Sequence, residues 1–260
     1  KKLLPELCRL INCTMKTIAQ ITDIHLDEQF PIDQGVDARK NWQVLLEDVA
    51  ARGIEEIVFT GDIGEKSANA WFFDTLKRHP SRFKVILGNH DDFFEATKHY
   101  QKETPGAGNE LYYACEDDHY KYLFMDSSGE KISAGQFAWL QQELNTTKKI
   151  ILFIHHPVLG VDTPVDKKYP LAGREQVSTL LQQHPGEVFI FCGHYHMADE
   201  QTAGNIKQWI TPAGSYQIKK QSGIIEVETD TFGYRIIRVD GTGPDTEVVS
   251  VNTDNYHNYK

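Results

Sequence analysis

The chain has 260 residues, 40% hydrophobic and 25% charged, enough for one sizeable domain with a buried core. Its formal net charge of −10 argues against a surface built for nucleic-acid polymers or anionic membranes, but not against a small anionic substrate held through bound cations. No apolar run approaches the roughly 20 residues of a membrane span, and four dispersed cysteines (Cys8, Cys13, Cys115 and Cys192) without a C-x-x-C pair fit a reducing, cytoplasmic setting.

Residues 1–14 start basic, but Pro5, Glu6 and Arg9 interrupt any secretory core. They are read as an upstream extension ahead of Met15, with a short docked helix as the alternative. From there strand-length apolar runs alternate with helical patterns. KTIAQIT (16–22) reads as a buried strand. DARKNWQVLLEDVAARG follows as a helix with Trp42, Leu45, Leu46, Val49 and Ala50 on one face and Gly53 as its stop. IEEIVFT (54–60) is the next strand, SANAWFFDTLKRH a helix and FKVILG (83–88) a strand. ELYYACE and YKYLFMDS pair around a polar turn at Asp117–Asp118. SAGQFAWLQQEL opens with a Ser133/Gln136 capping box. KKIILFI is a strand, GREQVSTLLQQH a helix and EVFIFC a strand holding Cys192 as a core thiol. IKQWIT, SGIIEVET and GYRIIRV complete a β-rich last third, and the polar tail 241–260 is expected to add little core. Without a repeat or linker, residues 15–240 read as one α/β domain, with the late β run building a second sheet.

Chemistry-bearing residues recur where these strands end: Asp23 and His25, then Asp62, then Asn89 and His90, then the pair His155–His156, then His194 and His196. Ligands of α/β sheets collect beyond the carboxyl ends of strands, so five ends on one edge would form one cleft. On an extended segment, residues i and i+2 point the same way, which lets Asp23 and His25 grip one ion. Asp62 can bridge to a second ion, Asn89 offers an amide oxygen, and the histidines offer imidazoles. By the same alternation only one of His155 and His156 can face the cleft. Seven candidate ligands include two carboxylates, so two divalent ions leave the cluster positive and able to attract a phosphate. Mixed nitrogen and oxygen ligation suits Mn, Fe, Zn or Co.

The ordered set D-x-H, G-D, G-N-H-D, H-H-P and G-H-x-H, spread over residues 16–240, resembles the calcineurin-like metallophosphoesterase superfamily. The resemblance implies a four-layer α/β/β/α sandwich with a two-metal site at the carboxyl ends of the strands. It assigns Asp23, His25, Asp62 and His196 to one ion and Asp62, Asn89, His155 and His194 to the other, with Asp62 bridging. His90 would ligate neither ion and would act on the leaving oxygen, while His25 and Asn89 would also lie against the bound phosphate. His156 would then serve in packing or support. HHPV and TPAGSYQI resemble the cyclic-nucleotide phosphodiesterase branch, which is similar to bacterial glycerophosphodiesterases. Protein-phosphatase relatives carry an Arg where this chain has Glu65 and Lys66, and Glu65 also replaces an Asp common in the branch it resembles.

The implied activity is hydrolysis of a small phosphodiester, foremost a cyclic 3′,5′-nucleotide, by a hydroxide shared between the ions. Glycerophosphodiesters, other diesters and phosphomonoesters are the alternatives; a non-catalytic scaffold would lack ligands that this chain has. The expected partners are small substrates, with room for a homo-oligomer. Lys167, Lys168 and Tyr169, in the connection 158–173, would either meet the substrate or form a solvated rim. No role is assigned to His79, His99, His119, His184 or His257.

Overall fold

The computed structural model describes residues 15–100 and 108–254; residues 1–14 and 255–260, on which part of the expectation falls, lie outside the described residues. The apolar run after Met15 forms β1 (Lys16–Ile21). Then come α1 (Gln29–Asp33), α2 (Ala38–Ala51), β2 (Glu56–Thr60), α3 (Asn69–Arg78), β3 (Arg82–Ile86) and α4 (Phe93–His99). The second half holds β4 (Tyr113–Glu116), β5 (Tyr120–Phe124), α5 (Ala134–Glu143), β6 (Lys149–Phe153), α6 (Pro164–Lys168), α7 (Arg174–Gln182) and β7 (Val188–Cys192). It ends with β8 (Asp199–Ala203), β9 (Ile206–Ile210), β10 (Gln217–Ile218), β11 (Val227–Glu228), β12 (Thr231–Val239) and β13 (Pro244–Asn252).

Two sheets result, ordered β13-β12-β1-β2-β3 and β4-β5-β6-β7-β9-β8. Strands β1, β2 and β3 run parallel, as do β5, β6, β7 and β9. Residue alternation along the second sheet separates two layers. Leu123, Leu152 and Ile190 pack with Leu140 of α5 and with Val177 and Leu181 of α7. The intervening Phe124, Phe153 and Phe191 join a core that also contains Ile18, Val58 and Ile236 of the first sheet. Across β5, β6, β7 and β9 the rings of Phe124, Phe153, Phe191 and Trp209 stack at centroid distances of 5.3, 5.6 and 5.0 Å. On the far side of the first sheet, Phe59 meets Trp42 of α2 and Phe72 of α3 at 5.8 and 4.7 Å. The two sheets are therefore flanked by helices, as the resemblance implied.

Several local expectations change. The tail 241–260 is not merely polar: β13 pairs with β12 along its whole length and buries Val249 and Val251. Two apolar residues at period two, flanked by Thr, Glu and Ser, suffice for an edge strand with one wet face. The late strands do not build one sheet of their own; β8 and β9 extend the second sheet while β12 and β13 extend the first. SGIIEVET contributes only β11, a two-residue ribbon with β10. In α2, Ala50 turns outward and Val44 is buried in its stead. Only half of the α5 capping box forms. Ser133 Oγ accepts from Gln136 N at 3.1 Å, but the Gln136 side chain pairs with the backbone of Asp126 instead.

The interface between the sheets is not wholly apolar. Gln20 Nε2 donates to Thr60 Oγ1 and to the Cys192 carbonyl at 3.1 and 3.2 Å, and its Oε1 accepts from Thr211 Oγ1 at 2.6 Å. Arg235 of β12 donates to the Ile210 carbonyl and to the hydroxyls of Thr211 and Thr246. These bonds tie β1 and β12 to β7 and β9 directly beneath the carboxyl edge. Gln20→Ala would remove the buried acceptor of the Thr211 hydroxyl and the donor to the Thr60 hydroxyl, while the Cys192 carbonyl keeps its bond from the Thr211 N–H. It is expected to cost about 1–3 kcal/mol, the range for one buried group left unpaired; denaturant melts compared with wild type measure it.

Candidate metal centre

Each predicted site residue follows a parallel strand within a few positions. Asp23 and His25 follow β1, Asp62 follows β2, and Asn89 and His90 follow β3. His155 and His156 follow β6; His194 and His196 follow β7. Both sheets therefore deliver groups to one edge. The backbone there is not extended, contrary to the expectation. Asp23, His25, Asp62, His194 and His196 have φ of 55°, 50°, 61°, 67° and 49°. Left-handed backbone at non-glycine residues costs about 1–2 kcal/mol each. The alternation nonetheless survives, because Ile24, Leu26 and Tyr195 between and beside them are fully buried in the core. Two close approaches require glycine. A Cβ at Gly88 would strike the carboxylate of Asp62, and one at Gly193 would strike Thr22 and the carboxylate of Asp23.

The side chains converge in two groups. Asp23, His25 and His196 offer ligand atoms within 4.8 Å of one another, and so do Asp62, His155 and His194. Asp62 Oδ2 faces both, 3.6 Å from His25 Nε2 and 3.3 Å from His155 Nε2. Asn89 Oδ1 lies 3.2 Å from His155 Nε2. The groups adjoin through Asp62 beside His25 and through Asp23 Oδ1, 3.9 Å from His155 Nε2; within the first group His25 Nε2 and His196 Nε2 lie 3.1 Å apart. Backbone carbonyls orient three rings. Thr60 accepts from Nδ1 of His155 at 2.8 Å, Tyr216 from Nδ1 of His196 at 2.9 Å, and Tyr169 from Nε2 of His194 at 3.0 Å. His155 and His196 thereby turn Nε2 toward Asp62 and Asp23, each at 3.3 Å.

His156 stands apart. Its Nδ1 lies 2.9 Å from Ser127 Oγ, and its ring packs on His194 at a centroid distance of 4.0 Å. His90 keeps its side chain 46% exposed at the mouth, while its backbone N–H donates to Asp62 Oδ1 at 2.9 Å.

The charges fit a divalent cation. Asp23 and Asp62 are buried, and their ion pairs among the described residues are all to imidazoles. Burial alone would raise the Asp23 carboxyl, but His196 and His155 hold it well below its usual range; His155 and His25 do the same for Asp62. Burial would favour neutral His155, yet Asp62 and Asp23 raise it to about 10. His194 falls to about 4 through burial and the charge on His155. Such a set, two carboxylates among imidazole nitrogens and one amide oxygen, matches transition-metal ligation.

Sequence reasoning missed several supports. Asp91 is part of the quoted G-N-H-D motif, yet it received no role. Its buried carboxylate accepts from the backbone N–H groups of Gly88, Asp62 and Ile63 at 2.8, 2.9 and 2.8 Å, clamping two strand ends together. Burial, then the charge of Asp62, pushes it up to about 7. The carbonyls of Thr60, Tyr169 and Tyr216 carry no sequence signal at all. Above the cluster opens a cavity of about 400 Å³, lined among others by Phe30, Lys168, Tyr169, Tyr216, Ile218 and Val227. The connection 158–173 is partly ordered as α6, capped by Thr163 and anchored through Asp166 to Arg174 and Tyr195. It splits the expected trio. Lys167 pairs outward with Asp162 at 2.6 Å, whereas Lys168 and Tyr169 line the cavity.

The family described as calcineurin-like phosphoesterase matches residues 16–198. A probable cyclic nucleotide phosphodiesterase of Fibrobacter succinogenes is 26% identical over 243 residues, covering 91% of this chain and 94% of the relative. A probable glycerophosphodiester phosphodiesterase, GpdQ, of Arcobacter nitrofigilis is 29% identical over 174 residues, covering 62% and 64%. Among solved structures, a dimetal phosphatase from Danio rerio aligns over 91% of this chain and 98% of its own with a TM-score of 0.62; at 13% identity it shows a shared fold. With its motifs gathered on one sheet edge and its sequence matched over most of the domain, this chain belongs to the calcineurin-like phosphoesterase family, hydrolases of phosphoester bonds that use divalent metal ions.

Proposed function

We propose that the protein is a two-metal phosphodiesterase for small diesters, foremost cyclic 3′,5′-nucleotides. The observation that carries this reading is the pair of adjoining ligand groups joined by Asp62 beneath a cavity of about 400 Å³. Asp23, His25, Asp62 and His196 would hold one ion; Asp62, Asn89, His155 and His194 would hold the other. Mn, Fe, Zn and Co suit the donors. When bound, two such ions polarise the phosphoryl group and generate a nucleophile from water near neutral pH.

The chain's own residues set the stage for that chemistry. The carbonyls behind His155, His194 and His196 fix the rings before substrate arrives. Asn89 and His25 border the place where a phosphate rests over the ligands. His90 lies at the mouth, poised to donate a hydrogen bond to the oxygen that leaves phosphorus. Hydrolysis consumes one water: a phosphorus–oxygen bond forms, the bond to the leaving oxygen breaks, and that oxygen takes up a proton. A cyclic nucleotide would open to a nucleoside monophosphate. The aromatic and aliphatic walls, Phe30, Tyr169, Tyr216, Ile218 and Val227, give a planar base an apolar surface. The similarity to a glycerophosphodiester phosphodiesterase supports a second reading, in which the same groups cleave glycerol diesters. The buried free thiol of Cys192 fits the cytoplasmic setting proposed here.

Four measurements test this. Exhaustive chelation should abolish hydrolysis of bis(p-nitrophenyl) phosphate and cyclic AMP, and Mn should restore both; activity indifferent to chelator would refute the metal reading. A panel adding glycerophosphocholine and a phosphomonoester then ranks the substrates by kcat/KM. His90→Ala should retain its metal but lose about 10²- to 10⁴-fold in kcat on cyclic AMP, the range for one proton donor, and unchanged turnover would remove that role. Gly88→Ala should drive Asp62 from its place and lower metal stoichiometry, read by elemental analysis; full occupancy would show that Asp62 does not depend on this close approach.

A further inference from the structure

The rings of His25 and His90 share one carboxylate that no motif singled out. Glu28 Oε2 lies 3.0 Å from Nδ1 of His25, and Glu28 Oε1 lies 3.1 Å from Nδ1 of His90. The two rings meet edge to face, with centroids 4.7 Å apart and planes at 88°. Glu28 stands at the N-cap of α1 but makes no side-chain capping bond. Its side chain, 14% exposed, turns inward to the histidines instead. Glu65, which follows Asp62 in the chain, is exposed to solvent, and the carboxylate against His90 comes from Glu28, in the segment after β1.

An ionised carboxylate only accepts, so both nitrogens facing it carry hydrogens. That leaves Nε2 of His25 turned to Asp62 and His196, at 3.6 and 3.1 Å. In His90 it leaves Nε2 on the far side of a ring that lines the cavity. A half-exposed ring without such an anchor would sample several rotamers.

We propose that Glu28 is a positioning residue of the reaction: with Oε2 held against the ring of His25, its Oε1 fixes the tautomer and aim of the substrate-facing His90. This rests on the role given to His90 above. Because each oxygen serves one ring, the requirement is for a carboxylate of this length; an amide keeps one acceptor and releases one ring.

The test compares Glu28→Ala and Glu28→Gln with wild type, His90→Ala and the double variant Glu28→Ala/His90→Ala, each with measured metal content. Cyclic AMP, or the best alkyl diester from the panel above, has a poor leaving group; bis(p-nitrophenyl) phosphate has an activated one. Glu28→Ala should keep its metal and its KM while losing about 10- to 100-fold in kcat on the alkyl diester, the usual cost of removing a supporting partner. It should lose much less on the aryl diester and add nothing to His90→Ala. Glu28→Gln should fall between. Nitrogen-15 spectra of the metal-free protein supply a readout independent of turnover: the His90 ring should lose its Nδ1–H signature in Glu28→Ala. Equal losses on both diesters, additivity with His90→Ala, loss of metal or an unchanged His90 signature would each overturn the proposal. If His90→Ala itself shows no dependence on the leaving group, the role of His90 falls and Glu28's with it. If His90→Ala shows it and Glu28→Ala does not, Glu28 alone is excluded.

Discussion

Two carboxylates buried at the junction of two sheets are the constraint around which this molecule is organised. Asp23 and Asp62 have almost no contact with solvent. Burying unpaired carboxylates in a protein interior is strongly unfavourable, and charge of the opposite sign must be brought to them. Here imidazoles do so from His25, His155 and His196, delivered by strands of both sheets. The same requirement makes the spot suited to divalent cations, which compensate two carboxylates more completely than neutral or singly protonated rings.

Much of the surrounding structure exists to hold those groups still. Left-handed backbone at five of the site residues is tolerated because core side chains between them are locked by packing. Asp91 clamps the turns after β2 and β3, while Gln20 and Arg235 tie the sheets just beneath. Backbone carbonyls hold three rings, and Glu28 bonds to two more. A centre arranged before substrate arrives needs little reorganisation during the reaction.

The candidate ligands and the cavity walls come from different parts of the chain. The candidate ligands stand at the ends of parallel strands. The cavity walls come from α6, from the start of α1 and from the β10–β11 ribbon, which are connections. This division explains how relatives named for cyclic nucleotides and for glycerophosphodiesters can both be similar to this chain. Fold likeness to a dimetal phosphatase at 13% identity therefore says little about substrate.

The strands, the principal helices and the candidate ligands were legible in the sequence, because strand periodicity and a strand-end Asp or His are local properties. Helix α4 and strand β8 were not read, since FFEATKH and DEQTA lack a clean apolar period, and β13 hid behind polar neighbours until its pairing with β12 became visible. Alternation alone left His155 and His156 open and the motif resemblance chose His155; the fold turns His155 to Asp62 and packs His156 against His194, because adjacent residues face opposite ways. Glu28 and Asp91 gave no usable signal either, because each acts on groups brought to it from elsewhere in the chain. Residue order by itself determined which chemistry this chain can carry; the joining of two sheets decided which atoms meet, because a charge–charge or hydrogen-bond contact depends on distance in space and not on separation along the chain.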